Sequence, residues 1–284
     1  MFRTLVIAGV GLIGGSLALA ARERGLVERV VGYGRNEKTL RRARRIGILD
    51  GYFLHARKFP EDADFLVLAT PVSAIAPLTR SFLPRLDPRC LISDVGSVKR
   101  RVVADMERLL KGGPPFVGAH PIAGSDQWGP DAARADLFVR RRCIITPTGK
   151  SDAAAVKKLR AFWRAVGSRV EMMDAARHDR ILGVVSHLPH VAASALVNVL
   201  DRTRIDSLDL AEYCGSGFKD TTRIAAGRPE LWRDICLLNR EPVLKGLREF
   251  ARAIDRFADC VERSDGPGLE RELERALETR KRMA

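Results

Sequence analysis

The chain has 284 residues, which is enough for one large or two modest domains, each with its own core. Its net charge is +14, but the basic residues are spread over helical faces, interleaved with acids and without an aromatic platform. We therefore expect small anionic ligands rather than nucleic acid. The five cysteines form no CxxC pair, so neither disulfides nor a metal site is expected. We see no apolar run of about 18 residues and no secretory signal, so we expect a cytoplasmic protein without a membrane partner.

Short apolar strands alternate with helices in the first part of the chain. Predicted strands cover residues 4–8, 30–33, 64–70, 90–95, 116–119, 142–147 and 168–172, and a basic helix lies near 37–45. This order predicts an α/β Rossmann-type doubly wound, mostly parallel sheet over residues 1–172, with ligands beyond the carboxyl ends of the strands.

The first strand runs into a glycine-rich turn that has the form of a dinucleotide-binding site. The first glycine permits the tight turn, the second lets a pyrophosphate approach the backbone, and the third lets the following helix pack on the strand. The phosphate would sit at the helix N-terminus. The alternative is a strand–helix turn without a ligand. The predicted cofactor-binding residues here are Gly9, Val10, Gly11, Leu12, Ile13 and Gly14. Three more, Thr70, Pro71 and Val72, follow the strand at 64–70.

The end of the second strand bears on the choice between NAD and NADP. An acid about 20 residues beyond the turn normally accepts the ribose hydroxyl of NAD and repels the extra phosphate of NADP. Gly34 occupies that position, and Arg35 and Asn36 follow it. An arginine can clamp a phosphate, so NADP is favoured over NAD. The alternative is that Arg35 stacks on adenine and NAD is still preferred.

The pattern becomes all-helical after about residue 172. Predicted helices cover 176–200, with a kink near Pro189, and then 231–239, 241–263 and 269–282. We expect residues 173–284 to form a helical domain that supplies a substrate wall and a two-fold dimer interface, by analogy with other Rossmann proteins.

Three further motifs carry candidate chemistry: DVGSVK at 94–99, GAHPIAGSD at 118–126, and SHLPH at 186–190 followed by GFKDTTR at 217–223, which we interpret as a loop. Together with the glycine-rich turn, and in this order and spacing, they resemble the prephenate/arogenate (cyclohexadienyl) dehydrogenase family of tyrosine biosynthesis. The resemblance covers nearly the whole chain, and we expect neither the fused chorismate mutase nor the C-terminal regulatory domain of some members.

The resemblance implies oxidative decarboxylation of an anionic substrate, prephenate or arogenate, with hydride transfer to NAD(P). It implies that His120 takes the proton of the substrate hydroxyl and that Ser97 orients His120 or that hydroxyl. The implied substrate-binding residues are Arg223, which holds a carboxylate, His190, Lys219, Trp232 as a pocket wall, and Asp126, which could pair with the ammonium group of arogenate. A homodimer and inhibition by tyrosine are also implied.

Several alternatives stay open at this point. His55 and His178 are interpreted as structural, His187 could cap a freed carbonyl near the kink, and Trp232 could be a core residue. Another dehydrogenase of the 6-phosphogluconate or β-hydroxyacid type would share the domain order but relies on a catalytic lysine. A catalytically silent dinucleotide-binding protein would leave His120 and Arg223 unexplained.

Overall fold

The structure is a computed structural model that describes residues 1–124 and 127–283. It divides into two compact units, Met1–Asn239 and Arg240–Ala284. The predicted domain boundary between residues 172 and 173 marks where strands give way to helices, and it stays a prediction.

Unit 1 is built on one sheet of eight strands, in the order β3-β2-β1-β4-β5-β6-β7-β8 within the described part of the chain. Neighbouring strands are parallel except for β6 and β7, which are antiparallel. The strands are β1 Phe2–Ala8, β2 Val27–Tyr33, β3 Gly51–Phe53, β4 Phe65–Leu68, β5 Leu91–Asp94, β6 Phe116–Pro121, β7 Arg142–Thr146 and β8 Arg169–Met172. The predicted Rossmann-type, mostly parallel sheet is therefore confirmed.

Helices cover both faces of this sheet, because alternate residues of the central strands face two separate apolar cores. Leu5 and Ile7 of β1 lie in one core, and Val6 and Ala8 lie in the other. The helices of this region are α1 Leu12–Glu23, α2 Glu37–Arg45, α3 Ile75–Phe82, α4 Arg100–Leu109 and α5 Ala153–Ala165. Since β1, β4, β5 and β6 run parallel, their carboxyl ends lie at one edge of the sheet, where ligands of such folds bind.

The helices that complete unit 1 differ in detail from the sequence prediction. They are α6 Ala175–Leu182, α7 Leu188–Arg202, α8 Ser216–Thr222 and α9 Pro229–Leu238. A π-helical segment, Gly183–His187, separates α6 from α7. The helix is thus interrupted near Pro189, as predicted, but the proline is not the cause. Pro189 lies in the first turn of α7, where a missing N–H costs little, and the irregularity precedes it.

The helical stretch Ala175–Arg202 is long and apolar enough to cross a membrane by length and composition alone, contrary to our expectation that no such run exists. Helices in the core of a protein can have the same length and apolar composition. Four polar side chains of this stretch are buried within unit 1, namely His178, Asp179, His187 and His190, as expected of a helix that lines a site.

Unit 2 consists of α10, Arg240–Glu262, and α11, Gly266–Lys281. Several of its large apolar side chains are exposed, including Ile254, Val261 and Leu277.

Candidate active site

The turn after β1 has the geometry that a bound pyrophosphate requires. Gly9 has φ of +100°, and a Cβ atom there would lie 2.4 Å from the carbonyl oxygen of Ala69. A Cβ atom at Gly14 would lie 2.2 Å from the carbonyl oxygen of Gly9, so this glycine lets α1 pack against the turn. A Cβ atom at Gly11, by contrast, would meet no atom within 4 Å. The backbone is therefore approachable at Gly11.

The N-terminus of α1 is also prepared for an anion. Gly11 is its N-cap and provides no side-chain hydrogen bond, and the first turn contains no acidic residue. The N–H groups of this turn and the helix dipole consequently favour a phosphate. Val10 is buried beneath the turn, while Leu12 and Ile13 are half-buried in the first turn of the helix. These residues fit a dinucleotide.

Gly34 directly follows β2, and no carboxylate stands at this strand end. Asn36 caps α2, since its Oδ1 accepts the N–H of Thr39 at 3.1 Å. Glu37, the nearest acid, is paired with Arg41 at 2.9 Å. The exposed Arg35 makes no ion pair with any residue that the structure describes.

The turn after β4 faces the same edge of the sheet. The Thr70 hydroxyl is buried and lacks a hydrogen-bond partner among the described residues, so it is free to bond to a bound group. Pro71 is exposed. Val72 is buried against the loop after β5, because a Cβ atom at Gly96 would lie 2.7 Å from Val72 Cγ1.

His120 lies on β6 and is held by a buried histidine. His120 Nδ1 is 2.8 Å from His178 Nε2, and His178 Nδ1 is 2.8 Å from Asp179 Oδ1. Burial, and then the neighbouring His178 and Lys99, keep the pKa of His120 well below 6.5. His120 is therefore a neutral imidazole near pH 7. The interpretation of His178 as merely structural is incomplete, because its ring contacts the predicted catalytic base.

A fully buried ion pair lies beneath His120. Lys99 Nζ donates to Asp94 Oδ2 and, at 2.9 Å, to the carbonyl oxygen of Ala119. Both charged side chains have no exposed surface. The pair thus links the end of β5 to the residue preceding His120. Ser97 is half-buried in the same loop and forms no hydrogen bond to His120, so its predicted role stays a prediction.

His190 and Trp232 form an aromatic wall. Their rings are stacked with centroids 3.5 Å apart and planes 8° from parallel. A Cβ atom at Gly227 would lie 2.4 Å from Trp232 Nε1, so only glycine fits beside this stack. His190 Nδ1 and His187 Nε2 are buried without hydrogen-bond partners in the described structure. Burial lowers the pKa of His190 and lowers that of His187 to about 4.

The GFKDTTR segment is helical rather than a loop, which corrects the sequence prediction. Lys219 lies within α8, and Arg223 follows its last residue; both side chains are exposed. Asp126 lies outside the described residues. No group of three or more histidine, cysteine or acidic side chains in the described ranges could hold a metal ion.

Two protein-family models match consecutive parts of the chain. Residues 17–172 match "Prephenate dehydrogenase, nucleotide-binding domain", and residues 174–275 match "Prephenate dehydrogenase, dimerization domain". The chain belongs to the prephenate dehydrogenase family. It is therefore an oxidoreductase that uses a nicotinamide dinucleotide, as the sequence predicted.

Relatives within this family resemble the chain over almost its whole length. It is 33% identical to prephenate dehydrogenase of Bacillus subtilis, over 98% of this chain and 75% of the relative. It is 32% identical to cyclohexadienyl dehydrogenase of Zymomonas mobilis, over 95% of this chain and 92% of the relative. A crystal structure of the Aquifex aeolicus prephenate dehydrogenase with hydroxyphenyl propionate and NAD+ superposes with a TM-score of 0.95 at 34% identity, covering 100% and 99% of the two chains.

Other dehydrogenases share only the fold. The 3-hydroxyisobutyrate dehydrogenase of Salmonella typhimurium is 14% identical with a TM-score of 0.59, covering 90% of this chain and 95% of the other. The alternative assignment to a β-hydroxyacid-type enzyme is therefore not favoured. Within the prephenate dehydrogenase fold, His178 and Asp179 are the site residues that sequence reasoning missed, because only the packing of α6 brings them to His120.

Proposed function

We propose that this enzyme converts prephenate, or arogenate, into its 4-hydroxyphenyl product by oxidative decarboxylation. The observation that carries the proposal is a neutral, half-buried His120 at the sheet edge that the glycine-rich turn also faces. The named activities of the relatives, prephenate and cyclohexadienyl dehydrogenase, support it.

The chain's own residues account for the proton and for the charge of the substrate. His120 accepts the proton of the C4 hydroxyl, so an O–H bond breaks and an N–H bond forms. The dinucleotide, when bound at the glycine-rich turn, would supply the acceptor for the hydride that C4 releases. The ring carboxylate leaves as CO2, its electron pair aromatises the ring, and the proton returns to the product oxygen. Arg223 and Lys219 supply the positive charge that a substrate with two carboxylates requires.

Two histidine variants, one at His120 and a control at His55, test the catalytic role of His120. We expect His120→Asn to lower kcat by about 10²- to 10⁴-fold, the usual contribution of a general acid–base group, with the Kd of the dinucleotide nearly unchanged. His55→Asn is the matched control, since His55 is exposed. A folded His120→Asn protein with the wild-type rate would remove His120 from the mechanism.

The substrate is identified by four steady-state assays. Prephenate and arogenate are each combined with NAD and with NADP, and absorbance is followed at the reduced-nicotinamide band. Turnover of neither substrate with either dinucleotide would refute the proposed function. Asp126 would favour arogenate over prephenate. Its carboxylate can pair with the ammonium group of arogenate, whereas the keto group of prephenate offers it no such partner.

We propose that NADP serves at least as well as NAD. Arg35 is the available cation beside Gly34, whereas Arg41 is paired with Glu37 and Arg42 with Asp131, at 2.7 Å. We expect Arg35→Ala to lower kcat/KM for NADP and leave that for NAD nearly unchanged. The control is Arg41→Ala. An NAD preference of tenfold or more in the wild type would refute the proposal.

We further propose that two copies form a cytoplasmic homodimer and that tyrosine, the amino acid at the end of this chemistry, competes for the substrate site. The dimer is supported by two exposed apolar side chains of α10, Ile254 and Val261. They are seven residues apart and therefore lie on the same face of the helix, where a second copy could cover them. Light scattering at micromolar concentration tests it, with Ile254→Glu expected to shift the mass toward a monomer and Lys245→Glu as the control. An active wild-type monomer would refute the dimer.

Competition by tyrosine is measured in the same assay as turnover.

A further inference from the structure

A continuous hydrogen-bonded row leads from His120 into the protein. His178, fully buried on α6, lies between His120 Nδ1 and the carboxylate of Asp179, with 2.8 Å on each side. The His120 and His178 rings are 5.1 Å apart at their centroids and inclined by 65°. Each contact joins one nitrogen to one partner, so the proton positions along the row depend on each other.

Asp179 determines the direction of this row. Its Oδ1 accepts the backbone N–H of Lys99 at 2.7 Å, and its Oδ2 accepts the backbone N–H of Arg100 at 2.9 Å. A backbone N–H can only donate, and both lie at the N-terminus of α4, where the helix dipole favours an anion. Asp179 is therefore an ionised acceptor, and the hydrogen atom in its contact with His178 belongs to His178 Nδ1.

The remaining hydrogen positions follow from this one. A neutral His178 with a protonated Nδ1 offers a lone pair at Nε2. Two lone pairs cannot face each other at 2.8 Å, so His120 Nδ1 carries its own hydrogen. A doubly protonated His178 would reverse this contact, and the spectra described below separate that case from the neutral His178 that we infer here. The free nitrogen of His120 is consequently Nε2, with its lone pair directed away from the row.

We propose that His178 and Asp179 are positioning residues that hold His120 in the tautomer with a proton on Nδ1, so that Nε2 is the atom that accepts the substrate proton. This inference rests on the proposed function for its catalytic part. When Nε2 takes the proton, the His120 cation keeps donating through Nδ1 to a neutral His178, and the Asp179 carboxylate offsets the new charge. The proton moves only from the hydroxyl oxygen to Nε2.

The structural alternative is that Asp179 merely caps α4 and that His178 merely fills space. Asp179→Asn separates the two explanations, because the amide keeps the size of the side chain and one acceptor oxygen. When its NH2 group takes the place of Oδ1, it donates to His178 Nδ1, gives up the N–H of Lys99 and keeps the N–H of Arg100 on the remaining oxygen. That orientation would reverse the row and place the hydrogen of His120 on Nε2. In the serine-protease triad the same substitution lowers kcat by about 10⁴ through the wrong tautomer.

The experiment reads the tautomer and the rate separately. The full-length enzyme is labelled with nitrogen-15 in its five histidines, and long-range proton–nitrogen spectra identify which ring nitrogen of each carries hydrogen. We expect a protonated Nδ1 and a bare Nε2 at His120 in the wild type, and the opposite in Asp179→Asn. We expect kcat of that variant to fall by about 10²-fold or more, with the KM values changed little.

The control is Asp152→Asn. Asp152 caps α5 by accepting the N–H of Ala155 at 2.6 Å, so the same charge is lost at a helix N-terminus far from the row. We expect neither the His120 tautomer nor kcat to change there. His178→Phe removes the link itself and should lower kcat while leaving α4 capped by Asp179.

The pH dependence of kcat is recorded as a further readout, since a reversed row should change the shape of the acidic limb. The titratable or charged groups around His120 are His178 and Asp179 on α6, Lys99 before α4, Asp94 on β5 and His187 in the π-helical segment.

A hydrogen on Nε2 of His120 in the wild type would overturn the proposal, as would a wild-type kcat in folded Asp179→Asn. If Asp179→Asn does not fold, the wild-type spectrum and the kcat of His178→Phe still decide it. Failure of the proposed function would look different: the wild type would turn over neither substrate, while the spectrum of the free enzyme would still report the tautomer.

Discussion

Breaking the Lys99–Asp94 pair should destabilise the protein more than breaking any other single ion pair in the described structure. Both side chains are completely buried, whereas the other Lys or Arg pairs have exposed partners. Removing one member of a buried pair leaves an uncompensated charge and typically costs about 3–5 kcal/mol. Lys99→Met and Asp94→Asn are the perturbations, alone and combined.

The contacts that remain determine where each variant falls in that range. In Lys99→Met the Asp94 carboxylate keeps the N–H of Gly96 at 2.9 Å and that of Ala119 at 3.3 Å, so we expect about 3 kcal/mol. In Asp94→Asn the Lys99 ammonium keeps the Ala119 carbonyl and a neutral amide oxygen, so we expect about 4 kcal/mol. The double variant removes both charges of the pair, so its cost should lie below that of Asp94→Asn, at least about 3 kcal/mol less than the sum of the single variants.

Urea unfolding at fixed protein concentration, followed by tryptophan fluorescence, to which the buried Trp163 contributes, measures these free energies. Arg101→Met is the control, because its pair with Asp105 is exposed on the arginine side, and it should cost less than about 1 kcal/mol. Single variants that each cost less than about 1 kcal/mol, or that add without coupling, would refute the reasoning.

Three further predictions concern the substrate wall and pH. Arg223→Ala should raise the KM of the dianionic substrate about 10- to 150-fold, the loss of about 1.5–3 kcal/mol from a charge-assisted contact, and an unchanged KM would place Arg223 outside the site. Gly227→Ala should displace the His190–Trp232 stack, with the melting temperature lowered and KM raised; a variant like the wild type would contradict the close approach. Burial lowers the pKa of His187 to about 4, so folding favours its neutral form; that stability is complete above pH 6.5 and decreases toward pH 4. Relative to His187→Gln, the wild type should lose about 2 kcal/mol between pH 6.5 and 5, and parallel denaturation curves would refute this.

The sequence predicted the sheet well because β1 and β4 contain continuous apolar runs, at residues 5–8 and 65–68, as is typical of parallel strands buried on both faces. It missed β3, whose three residues Gly51–Phe53 are too few to show a period. It also read α8 as a loop, since Gly217 and two adjacent threonines lower helix propensity there. The short helix is stabilised by its contact with α7 rather than by its own sequence.

The predicted base and its support differ in how visible they are locally. His120 could be found because it follows a strand within a recognisable motif. His178 lies 58 residues further on, in an ordinary amphipathic helix, and only tertiary packing joins the two rings. The π-helical segment between α6 and α7 was likewise invisible, because its sequence, Gly183–His187, contains nothing that distinguishes it from a regular helix.

Lys99 connects the two buried charge systems beneath His120. Its ammonium group contacts Asp94 and the Ala119 carbonyl, and its backbone N–H contacts Asp179. Since buried ion pairs add little net stability compared with apolar residues of similar volume, this arrangement is better explained by the position it imposes on His120 than by the strength of the fold. The double variant of Lys99 and Asp94 should consequently recover stability relative to Asp94→Asn without recovering kcat. Recovery of both together would mean that the pair serves the fold alone.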